Sequence, residues 1–189
     1  MFQQFRRPRT FSFYMSHSVP LEFWLRGPVP GVPALLQPVA HALLQAREEL
    51  AIGLADFRPA LLNERPGGVA SVGFHLQHLA GVLDRTFTYA RDEALSPAQL
   101  ASLAVEAEPL ALDDETLAQL QQRFAQQVDH ALAQLRGTNF AVLTELRGVG
   151  RAQVPSTVVG LLVHAAEHTT RHLGQLLVTA KWVRSESRT

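Results

Sequence analysis

The sequence predicts an all-α protein, a four-helix bundle with long connections. Three observations carry that prediction. Leu and Ala dominate a chain in which aromatic residues make up only 7%. Four segments of about 15 to 28 residues repeat their apolar positions at helical spacing. Two long connections separate them, which suits a bundle with a non-meander topology. The 189 residues suffice for one domain with a substantial core. The expected division is an irregular N-terminal extension over 1–28, a four-helix domain over 29–184 and a tail over 185–189. No internal repeat or low-complexity tract interrupts it.

Residues 1–14 mix Arg6, Arg7 and Arg9 with Phe and Tyr and show no periodicity. They read as an extension upstream of the start, since Met15 is the only other methionine, rather than as a basic targeting or nucleic-acid arm. No apolar stretch with a small-residue cleavage site follows, so no secretory signal is expected. Residues 25–34 are too rich in Pro and Gly for regular structure. Pro38 suits the first turn of helix one, in which Val39, Ala40, Leu43, Leu44 and Leu50 recur at helical spacing. His41, within it, reads as an ordinary partly buried histidine. A broken connection over 56–68 ends in Gly67-Gly68.

Helix two starts at the N-cap Ser71 and runs to about Ala90, with Leu76, Leu79, Leu83 and Phe87 as its main apolar face. His75 and His78 flank that face about 60° apart, and periodicity does not say which of them turns inward. Ser96 to Gln99 resembles a capping box with Pro97 at N1, so a short helix over 97–106 is expected, ended by Pro109. Asp113 and Asp114 cap helix three over 115–136, which Gly137 closes. Gln119, Gln121, Gln122, Gln126, Gln127 and His130 read as its solvated face. Residues 140–155 form a glycine-punctuated loop with room for extended structure. Its Gly148-Val149-Gly150 lacks the strand and third glycine of a phosphate-binding fingerprint.

Helix four spans 155–184, with Ser156 as the expected N-cap after Pro155. Three of the eight histidines recur in it four residues apart: His164, His168 and His172. They form one slowly drifting stripe, and Leu161, Gln175, Thr179 and Trp182 fall within about 40° of His168. Val159, Ala166, Leu173 and Leu177 lie opposite. A helix apolar over most of its circumference is expected to be largely buried, so the stripe should face protein or a cavity.

Composition excludes several function classes. The 17 basic and 17 acidic residues cancel, so nothing favours nucleic acid or an anionic membrane. The chain has no cysteine, which removes disulfides, thiolate ligands and a cysteine nucleophile. No apolar run reaches the roughly 18 residues of a membrane helix. A soluble, cytoplasmic protein is expected.

Five of the eight histidines fall in helices two and four. If those helices are neighbours, three neutral imidazoles can converge with one position open, a shell that suits zinc, nickel or iron(II). The segment His168 to His172 lacks the Glu after its first His that a zincin needs, the paired Glu-x-x-His of a di-iron bundle is absent, and so is a G-x-S-x-G elbow.

The stretch GFHLQHLAG (73–81), followed much later by HAAEHTTRHLGQ (164–175), resembles the DinB-like superfamily of metal-binding four-helix proteins. The similarity covers roughly residues 29–183. By position, His78 before Leu79-Ala80 matches the first metal ligand, and His168 and His172 before Gly174-Gln175 match the second and third. His75 and His164 are extra to this triad. Leu173 stands where the family often carries Arg, with Arg171 two residues earlier.

The resemblance implies a divalent metal, zinc or nickel, in the 29–184 domain, and a homodimer. It also implies, as in some members, transfer of a low-molecular-weight thiol to a small electrophilic substrate. Two alternatives stand beside the thiol transferase: a non-catalytic metal-binding or stress-response protein, and a metal-dependent hydrolase. A fourth ligand from His75 or His164 would close the site and favour the non-catalytic reading. If the site is open, Gln175 and Arg171 are the candidate assisting residues, about 20° and 60° from His168 on the helix wheel. Glu167, about 100° away, is expected to meet solvent or another helix. No nucleic-acid or membrane partner is expected.

Overall fold

All the α-helices but the first begin where a short polar side chain can take up a free N–H of the first turn. In the computed structural model, which describes residues 21–187, α1 (Gln37–Gly53) has Pro in its first turn and no side-chain cap. Ser71 Oγ accepts from the Phe74 N–H at 3.1 Å and starts α2 (Val72–Ala90). A full capping box between Ser96 and Gln99 starts the short α3 (Pro97–Ala104). Asp113 accepts from the Thr116 N–H at 2.7 Å ahead of α4 (Asp114–Gly137). Thr157 accepts from the Gly160 N–H at 3.0 Å ahead of α5 (Val158–Glu186). The expectations for residues 1–14 lie outside the described residues.

The start of α5 differs from the expected one. Pro155 and Ser156 belong to a strand, β2 (Val154–Thr157), paired antiparallel with β1 (Leu146–Val149) so that Ser156 faces Arg147 and Pro155 faces Gly148. The ladder holds Ser156 extended, and the cap passes to Thr157. The short α3 likewise stops at Ala104, leaving Glu106 in an irregular connection.

The molecule is mostly helical, with five α-helices among the described residues. Helix α5 packs against α2 and α1, and α4 packs against the other sides of the same two helices. Consecutive α1 and α2 are thus joined by a long connection over 54–71, and α4 and α5 by another that carries the hairpin. Between the helices Leu43, Leu76, Leu79, Leu83, Phe124, Leu135, Leu162 and Leu176 are fully buried. Gly73 permits a close crossing in the first connection. Its N–H donates to Leu62 O at 2.8 Å, and a Cβ there would lie 2.9 Å from the same oxygen.

Helix α5 is not covered all round, contrary to the periodicity reading. Leu161, Leu162, Ala165, Ala166, Leu173 and Leu176 are buried, but Val163, Val178 and Trp182 are 51%, 63% and 50% exposed. Among the described residues the main packing on α5 comes from α1 and α2, and its outer face meets solvent. None of the described helices is long and apolar enough to cross a membrane.

Candidate metal centre

The packing of α2 on α5 decides which histidines meet. The Ser71 cap sets the start of α2, placing His75 and His78 one turn apart on the side turned to α5. From α5, His168 and His172 face them. His78 Nε2 lies 2.9 Å from His168 Nε2, and His75 Nδ1 lies 3.1 Å from His172 Nδ1. One ring nitrogen each of His78, His168 and His172 falls within 4.8 Å of the other two, a spacing at which the three can hold one ion. All three rings are partly exposed. The Phe74 ring stacks on His78 with centroids 5.4 Å apart, and it also lines a cavity of about 240 Å³ with Asn63, Ser71 and Pro109.

The two remaining stripe and flank histidines stay outside the three. His75 is buried behind His172. His164 is half exposed, its Nδ1 3.4 Å from Glu167 and its ring centroid 5.2 Å from that of His168. Gln175 and Arg171 both sit on the exposed side of α5. The Arg171 guanidinium bonds to Glu167, and neither residue hydrogen-bonds a histidine among the described residues. His41 bonds Gly27 O at 3.0 Å on α1, and His130 is exposed on α4.

Two further residues, absent from the sequence reading of the site, complete the surroundings. Glu106, in the connection after α3, accepts from His78 Nδ1–H at 2.8 Å, and its other oxygen receives the Arg85 guanidinium. Both are buried. Glu106 carried no local signal. Arg85 did carry one: at i+7 from His78 it shares that residue's face of a buried helix, where a cation requires a carboxylate partner.

Burial, followed by the charges of His172 and His78, pushes His75 down to about 4. Burial and the neighbouring His172, His78, His164 and Arg171 push His168 down to about 4 as well. His172 is lowered mainly by burial, then by His78 and Arg171, against an upward pull from Glu106. Burial opposes the ionised form of Glu106, but the bonds from His78 and Arg85 outweigh it and hold the carboxyl below its ordinary range. His168 and His172 are therefore neutral near pH 7, the state in which an imidazole binds a metal.

The donor set fits a divalent ion. With Nδ1–H committed to Glu106, His78 presents an unprotonated Nε2 towards His168. Among the described residues His168 Nδ1 is buried without a partner, and the hydrogen bond that holds that ring is the one facing His78.

The protein is mostly helical and gathers three imidazoles between two long helices, an arrangement compatible with metal binding. Residues 42–176 match the family model described as the DinB superfamily, and the chain belongs to that superfamily. No curated protein matches the chain.

Proposed function

We propose that this DinB-superfamily protein binds one divalent metal ion, zinc or nickel, through His78, His168 and His172. The observation that supports this most directly is the cluster of three partly exposed ring nitrogens within 4.8 Å of one another. Neither His75 nor His164 joins the cluster, which leaves room for an exogenous ligand. We read the frame as a four-helix bundle of α1, α2, α4 and α5 with α3 as an added turn, and the protein as a cytoplasmic homodimer.

The chemistry proposed is transfer of a low-molecular-weight thiol to a small electrophile. A divalent ion at three neutral imidazoles would supply Lewis acidity, stabilising a thiolate or lowering the pKa of a bound water towards about 7. The chain's own residues orient and shield. Glu106 holds His78 from behind, His75 holds His172, and Phe74 covers one face of His78. Arg171 and Gln175, on the exposed side of the stripe, are placed to meet an incoming anion. With no cysteine in the chain, the thiol must come from solution.

Two measurements test this. Protein purified without a histidine tag should carry or take up about one zinc or nickel ion per chain, and a His78→Ala/His168→Ala/His172→Ala variant should not. Cobalt-substituted protein should then show a thiolate-to-metal absorption band on adding small thiols. Unchanged metal content in the triple variant would overturn the site. A cobalt spectrum indifferent to thiols, with metal bound, would remove the thiol-transfer reading and leave the non-catalytic and hydrolase alternatives.

A further inference from the structure

Between residues 91 and 116 the chain leaves the helical core, and in that whole excursion a single residue is buried. It is Glu106, 6% exposed, while the apolar Leu100, Leu103, Val105 and Leu112 around it face solvent. A connection that inserts a carboxylate in place of a leucine does so against the cost of burying charge. Several contacts hold it there. Gln77 Nε2 donates to Glu106 O at 3.1 Å, and the Asn63 amide brackets Leu110 with bonds of 2.8 and 3.0 Å. The Arg85 guanidinium binds one carboxylate oxygen. Gly81 leaves the room: a Cβ there would collide with Glu106 Oε1 and Arg85 Nη1.

We propose that Glu106, locked by Arg85 and admitted by Gly81, is the positioning residue of the centre, fixing His78 with its proton on Nδ1 and its Nε2 free to ligate. Left alone, a neutral imidazole favours neither nitrogen strongly and turns freely about its side-chain bonds. The 2.8 Å bond to Glu106 Oε2 selects one tautomer and one ring orientation together. The excursion containing α3 is then part of the site rather than a surface insertion. The metal half of this inference rests on His78 being a ligand as proposed above; the tautomer half does not.

The test compares the native protein with Glu106→Leu/Arg85→Met. Removing both partners avoids leaving a buried Arg unpaired, and replacing a buried ion pair by apolar groups commonly preserves folding. A helical far-UV spectrum identifies folded material, and Arg85→Lys, which keeps the cation, is the conservative control. Long-range proton–nitrogen correlation on metal-free, nitrogen-15-labelled protein reads the His78 ring directly. The native protein and Arg85→Lys should show the Nδ1–H form, and the double variant should shift towards Nε2–H. Zinc affinity in the double variant should fall by about 10- to 100-fold. An unchanged His78 tautomer in the folded double variant overturns the proposal, whatever the affinity. If the tautomer shifts while zinc affinity in both the double variant and His78→Ala is native, the positioning role stands and the ligand assignment fails.

Discussion

His164 and His168 sit one turn apart on the same helix, yet only His168 faces α2, and burial separates their behaviour. His164 is half exposed and outside the three-nitrogen cluster, so His164→Ala should leave zinc affinity near native, whereas His168→Ala should lower it by more than the roughly 10- to 100-fold typical of losing an outer partner of a ligand. Competition against a chromogenic chelator measures both, and equal losses would contradict the proposed ligand set. The same residues set a pH dependence. His75 and His168 are pushed from 6.5 down to about 4 in the folded protein. Their folded values lie below the unfolded one, so between about 6.5 and 4 the unfolded chain binds more protons. Stability of chelator-treated protein should be full above pH 6.5 and fall as the pH drops towards 4, with the lowered Glu106 adding to the loss further down. A urea midpoint that stays flat from pH 7 to 5 would count against burial of these rings.

At the scale of elements, α5 matters most because it carries two of the three clustered histidines. Its first turn depends on Thr157 Oγ1, which accepts the Gly160 N–H. Thr157→Ala should cost about 1 kcal/mol in urea unfolding, while Ser156→Ala, one residue earlier in β2, should cost only a few tenths. A larger loss at Ser156 than at Thr157 would mean that the cap lies where the sequence alone suggested. The hairpin explains why it does not. Periodicity describes the helix interior, but the helix boundary is decided by whether the preceding backbone finds another partner, and here Ser156 pairs with Arg147.

For the whole molecule, the buried core and the uncovered outer face of α5 make separate demands. Leu176, fully buried where α5 enters the core, should destabilise by about 2–5 kcal/mol on change to Ala, with the helical spectrum retained. Val163, Val178 and Trp182 on the outer face would be covered in the homodimer proposed above. Light-scattering mass should then be twice the 20.8 kDa of the chain, and Val178→Glu should shift it towards one chain without loss of helix. A single-chain mass at every concentration would remove the dimer from the reading.

What the sequence determined by itself is what depends on near neighbours along the chain. The all-helical class, the caps at Ser71, Ser96 and Asp113, the core face of α2 and the His164–His168–His172 stripe are all short-range patterns, visible because a helix repeats every few residues. The DinB resemblance was also legible, in two short motifs about ninety residues apart. What only the tertiary structure decided is what depends on contacts between distant segments. Which of His75 and His78 meets His168 follows from the rotation of α2 against α5, which the periodicity of α2 alone does not contain. The exposure of Gln175 and Trp182 follows from how many helices pack on α5, a number that one helix's periodicity does not contain. Glu106 is the extreme case. It stands 28 residues from His78 at the end of the short helix expected over 97–106, and only the path of the chain back over α2 brings its carboxylate to the imidazole.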